Sequence, residues 1–169
     1  NLYNALTVQV VLQYPKAKSI LKMKSSFFSI GPWDDELLTI EGKAVTLNDI
    51  EHRILRPIWQ DHRLHFALNC ASIGCPNLSK TAYSSSNVQA QLQRAQKRYL
   101  GHPRGVSLRK NKLVLSSIFD WYLEDFSEDE KGLKAYLAAQ LPQQAQRILA
   151  SKNAVDYGYD WDLNEQESH

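Results

Sequence analysis

The chain contains no Walker-type phosphate loop, no glycine-rich dinucleotide turn, no Gly-x-Ser-x-Gly elbow and no His-Glu-x-x-His helix. Those absences exclude P-loop ATPases, Rossmann dehydrogenases, elbow-type serine esterases and zincins. No apolar run reaches the roughly 18 residues needed to span a bilayer, so no membrane-spanning helix is expected. One sign of charge does not dominate either: 20 basic residues stand against 18 acidic ones. A phosphate-binding surface normally shows as a concentrated basic patch, and no nucleic-acid partner is expected here. The densest basic stretch, Arg104 to Lys112, surrounds an expected hairpin turn and reads as solvated charge. Cysteine is scarce, with two in 169 residues, so this is not a disulfide scaffold.

What is present suffices for one ordinary domain over residues 1–169, with 43% hydrophobic residues available for a core. The chain opens on Asn1-Leu-Tyr-Asn4, without Met and already in helical pattern, so part of the first helix is expected to precede Asn1. Apolar positions over residues 2–14 predict an amphipathic helix stopped by Pro15, followed by a short helical piece over 16–24. Residues 37–40 and 44–45 flank Glu-Gly-Lys as a hairpin. Thr46 to Asp49 has the spacing of a capping box and opens a helix to about Leu55, which Pro57 is expected to end.

Leu64 to Cys70 is apolar except for His65 and Asn69 and reads as a buried strand. A long polar helix over Asn87–Leu100, closed by Gly101, comes next. Two short strands, 106–108 and 113–115, are expected to join at Lys110 and Asn111. The last third reads as helices over 117–126, 130–141 and 143–150, and the alternating tail 155–163 reads as a closing strand. Strands scattered among helices without a regular βαβ beat imply an α+β fold, with helices packed on a small, mostly antiparallel sheet.

Residues 61–76 concentrate chemistry: two of the five histidines, both cysteines, an aspartate, an arginine, an asparagine and a serine. A rigid element that empties polar groups into a Gly/Pro loop is a common way to build a site. Three readings follow. Cys75, after Gly74, is a candidate nucleophile with His65 or His52 as base and Asn69, Asp61 or Glu51 as orienter, acting by acyl transfer on an amide or ester. In a strand, His65 would share a face with Asn69 and oppose Cys70. A second reading has Cys70 and Cys75 joined by a disulfide or buried as inert core thiols. A zinc site from both cysteines with His52, His62 or His65 fits poorly, because Cys-x4-Cys is wide and no second cysteine pair exists; neither metal nor cofactor is expected. The third reading is a polar pocket for a small-molecule or protein ligand, built from Asn4, His52, Arg56 and Asn69, in which the guanidinium and amides suit a carboxylate or an acyl amide. The Phe119-Asp-Trp-Tyr122 and Tyr157-to-Trp161 clusters read as structural.

Several segments together resemble one family. They are Asn1-Leu-Tyr-Asn-Ala-Leu-Thr7, Ile50-Glu-His-Arg-Ile-Leu-Arg56, His65-Phe-Ala-Leu-Asn-Cys-Ala-Ser-Ile-Gly-Cys-Pro76, Leu115 to Tyr122, Asp125-Phe126 and Tyr159 to Asn164. They look like the successive motifs of the domain of unknown function 547 family, whose name leaves its biochemistry open. The resemblance implies a bacterial or eukaryotic domain, often on exported proteins, which favours a periplasmic or extracellular setting where a Cys70–Cys75 disulfide would persist. The order of helix, histidine-bearing segment and strands also loosely resembles the papain-like and transglutaminase-like plan. That plan puts its nucleophile at the helix start, which Asn1 to Asn4 occupy here. The best reading is therefore a binding or degenerate hydrolase-like module; the alternative is a cysteine-dependent acyl-transfer enzyme.

Overall fold

The computed structural model describes residues 1–109, 112–151 and 155–164. Helix α1 (Leu2–Gln13) forms where the helical spacing places it, and it buries Tyr3, Asn4, Leu6, Thr7 and Val10. Only a single 3-10 turn, Ile20–Lys22, follows, with Ser19 as its cap. Strands β1 (Leu38–Ile40) and β2 (Lys43–Val45) pair antiparallel, with Leu38 opposite Val45. Their connection is the two residues Glu41 and Gly42, both left-handed at φ 50° and 76°. That is the geometry whose twist matches a hairpin.

The capping box forms reciprocally: the Asp49 amide donates to Thr46 Oγ1 and the Thr46 amide to Asp49 Oδ2, both at 3.0 Å. The helix it opens is a π-helix, Asp49–Leu55, and it does not end at Pro57. It continues as α2 (Arg56–Trp59), with proline in the first turn, where a missing N–H is tolerated. Gln60, left-handed at φ 47°, stops it.

The strand expected over 64–70 is not formed. Asp61 caps a 3-10 helix, His62–Phe66, by accepting from the Arg63 amide, and the amides of Ala67 and Leu68 both return to the Leu64 carbonyl. A short apolar run is equally compatible with a buried helical turn, and here the cap decided. The pairing of His65 with Asn69 on one strand face falls with it.

Helix α3 (Val88–Leu100) precedes a three-stranded sheet of β3 (Val106–Arg109), β4 (Lys112–Ser116) and β5 (Asp156–Gly158) in that spatial order. The first pair is antiparallel and the second parallel. The turn expected at Lys110 and Asn111 lies outside the described residues. The helix expected over 117–126 is broken at Tyr122 into α4 (Ile118–Trp121) and α5 (Leu123–Phe126); α6 (Glu130–Gln140) and α7 (Ala145–Leu149) complete the order. Phe66, Tyr99, Leu113, Leu115, Phe119, Leu133, Leu137 and Ile148 form the main core between sheet and helices. The expected closing strand is shorter than the alternation suggested. Beyond Gly158 the tail serves the site instead, as single bridges at Asp162 and Leu163. The architecture is α+β. Among the described residues, no helix is long and apolar enough to cross a membrane.

Candidate functional site

The segment after Phe66 has no regular structure, and side chains and the tail hold it. Asn4 on α1 donates through Nδ2 to the Ala67 carbonyl and accepts from the Asn69 amide through Oδ1, both at 2.9 Å and buried. Asn69 in turn donates to the Pro76 carbonyl (2.6 Å) and accepts from the Ala71 amide (2.9 Å), which closes the loop. Ala71 is left-handed, φ 65°, and its carbonyl accepts from the Asn164 amide. The Ile73 and Gly74 amides donate to the Asp162 and Asp160 carbonyls of the tail. A side chain at Gly74 would have its Cβ 2.9 Å from the Asp160 nitrogen, so close approach, not φ, requires glycine there. Arg104, read from sequence as solvated, donates to the Ile73 carbonyl from the other side. The polar atoms of Asn4 and Asn69, expected to meet a ligand, are thus taken up by backbone.

The two sulfurs are free thiols, which corrects the disulfide expectation. They sit in different environments. Cys75 is buried; its sulfur accepts from the Cys70 amide at 2.8 Å and points at the Leu68 carbonyl. Burial pushes its thiol up, and so does Cys70 beside it. Cys70 is half-buried, 3.1 Å from the Tyr159 hydroxyl and 3.4 Å from that of Ser72. The neighbouring Cys75 thiol, then Ser72 and Tyr159, stabilise its thiolate against burial and bring it down to about 6. Iodoacetamide is therefore expected to label Cys70 and spare Cys75 in the folded protein, at a rate already level by pH 7.5. Mass mapping of the labelled peptide checks this, and Cys75 labelling at a comparable rate would contradict it.

His65 is buried, and its Nε2 lies 2.6 Å from Asp125 Oδ2. Hydrogen bonds from Arg56 and His65 outweigh burial and hold the Asp125 carboxyl below its ordinary range. The carboxylate can only accept, so Nε2 carries the proton and Nδ1 keeps its lone pair. That Nδ1 lies 3.9 Å from Glu51 Oε1, and the ring stacks on Tyr122 at 4.0 Å. Arg56 grips Asp125 through Nε (2.7 Å) and Nη2 (3.0 Å), reaches Glu124 (2.8 Å) and His52 (3.0 Å), and lies over Tyr122. His52 and Arg56, expected in the ligand pocket, line a separate depression with Asp61 and Glu124.

Burial lowers the His65 pKa from 6.5 despite the carboxylates nearby. The folded chain therefore takes up this proton at lower pH than the unfolded chain does. Above about pH 6.5 the ring is neutral in both states and adds no slope; below it the folded state loses stability. His62, likewise lowered by burial, acts in the same direction. Asp125, lowered in the folded state, stabilises above its ordinary 3.8 and loses that contribution below it. Urea midpoints should thus fall from pH 7 to pH 5, and the fall should be smaller in His65→Gln than in the wild type.

His65, Cys70, Cys75 and Glu51 open on one cavity of about 440 Å³. Its other walls are largely aromatic, including Trp33, Trp121, Tyr122, Tyr159 and Trp161. Among the described residues, neither sulfur hydrogen-bonds to a histidine: Cys70 is held by Tyr159 and Ser72, and His65 by Asp125. No group of three or more described His, Cys, Asp or Glu side chains could hold a metal ion.

Sequence reasoning gave Glu51 only a supporting role, and it missed Asp125 as the partner of His65 and Tyr159 as the partner of Cys70. Tyr159 belongs to an aromatic-acid cluster read as structural, and Asp125 stood only in the Asp125-Phe126 pair, so neither position showed which distant side chain it would reach. The π-helix that buries Glu51, a form frequent at functional sites, leaves no comparable trace in spacing. No curated protein and no solved structure matches the chain. A family model described as "Protein of unknown function, DUF547" matches residues 1–100, which include α1, Glu51, His65 and both cysteines. With more than half its length matched, the chain belongs to the DUF547 family.

Proposed function

We propose that this domain is a ligand-binding module whose cleft keeps a hydrolase-like set of side chains. One observation carries the reading: the cavity is preformed and walled by three of the chain's four tryptophans, while the sulfur and imidazole that share it are held by other partners. A concave, mostly apolar site with a few convergent polar groups is the usual form of a small-molecule site. The ligand would lie against the rings and meet Glu51, His65 and Cys70.

A second reading, cysteine-dependent acyl transfer, draws support from His65, whose Nε2 is fixed by Asp125 and whose Nδ1 is free to act as a base. It places the nucleophile on Cys70, since the Cys75 sulfur is buried and already engaged. Mixing the protein with excess p-nitrophenyl acetate separates the two. The binding reading expects no nitrophenol burst that depends on Cys70. A burst of one equivalent that is lost in Cys70→Ser and kept in Cys75→Ser would replace it with the acyl-transfer reading.

A further inference from the structure

The polar groups that open on the cavity include carboxylate and imidazole acceptors alongside the tyrosine hydroxyls and indole N–H groups of its walls. Glu51 lies on the π-helix and is only 6% exposed, yet it lines the cavity. Its polar neighbours are the His65 ring at 3.9 Å and the Tyr122 phenol, and no described lysine or arginine pairs with it. A desolvated carboxylate without a cation is costly to keep. The nearest nitrogen, Nδ1 of His65, carries a lone pair because Asp125 takes the ring's proton at Nε2. Asp34 adds a second carboxylate to the rim, and among the described residues no lysine or arginine lines the cavity.

Around these acceptors the rings present faces at different angles. Trp33 and Trp161 meet at 76° with centroids 5.8 Å apart, which makes a corner, and Tyr159 is inclined at 54° to Trp161 with centroids 4.6 Å apart. Trp121 stacks on Trp161 at 30° with centroids 5.4 Å apart and backs that ring. The faces of aromatic rings carry negative potential, and a corner of them in the same cavity as a buried carboxylate attracts a weakly hydrated cation.

We infer that the ligand of this cleft carries an alkylammonium group, held in the corner of Trp33, Trp161 and Tyr159 and neutralised by Glu51. The inference rests on the binding reading and supplies its ligand class. The half-buried sulfur of Cys70 lies 3.1 Å from the hydroxyl of Tyr159, on the same side of the cavity as that ring.

The test titrates the intact protein with choline and with its uncharged isostere 3,3-dimethylbutan-1-ol, followed by tryptophan fluorescence and calorimetry. Choline should bind about tenfold more tightly than the isostere, in keeping with a desolvated cation over aromatic faces. In Glu51→Gln that preference should disappear while the isostere binds as before. Should this variant not fold, Asp34→Asn on the rim should reduce the preference in part, and the wild-type contrast stands without either variant. Equal or tighter binding of the isostere overturns the ammonium inference and leaves the binding cleft standing. If neither probe saturates or alters tryptophan emission, both readings fall.

Discussion

Replacing Asn4 with alanine is expected to lower stability by about 2–5 kcal/mol, because two buried backbone groups lose their partners at once. The Ala67 carbonyl and the Asn69 amide both end at this one side chain, and no neighbouring strand can take them up. Asn4→Asp should be nearly as damaging: it keeps an acceptor for Asn69 but sets a carboxylate against the Ala67 carbonyl. Chemical denaturation of both variants measures the effect. A near-wild-type Asn4→Ala midpoint would mean that the asparagine is kept for contact with a ligand instead. The loss should also reach the site, since Asn4 fixes the segment that delivers Cys70, and the selective alkylation of Cys70 should give way to labelling of both thiols.

Arg56→Ala carries the next largest effect, about 2–4 kcal/mol, because breaking a partly buried ion pair leaves an uncompensated carboxylate. Arg56 binds Asp125 with two parallel bonds and Glu124 with a third, so one side chain ties the second helix to α5. Arg56→Lys should recover less than half of the loss, since a single ammonium cannot reproduce the planar fork. Without Arg56, the Asp125 carboxyl loses the hydrogen bond that does most to hold it down, so the acid-unfolding midpoint should move up in pH. Thermal melts across pH 3–7 check both statements. A silent Arg56→Ala would instead return the residue to the ligand pocket expected from the sequence.

Local rules that involve a few neighbouring residues determined much of this protein. Helical spacing set α1, the polar run closed by Gly101 set α3, Thr46 and Asp49 capped the helix after the first hairpin, Glu41-Gly42 turned that hairpin, and the short apolar run Leu113-Val-Leu115 marked β4. The concentration of His65, Cys70 and Cys75 in one segment likewise marked where the site lies. What the sequence left open was whatever depends on contacts across many residues. Whether residues 64–70 pair as a strand turned on the Asp61 cap and on Asn4, which lies more than sixty residues away. Which cysteine stays partly exposed was decided by contacts across the loop and the tail: the Cys70 amide holds the buried Cys75 sulfur, while the Tyr159 hydroxyl meets that of Cys70. Asp125 reaches His65 across sixty residues, and Arg56 holds it there. Spacing encodes which side chains share a face of one element. A site assembled from α1, a π-helix, an irregular loop and a C-terminal tail has no spacing to read, and only tertiary packing brings its charges, rings and sulfurs together.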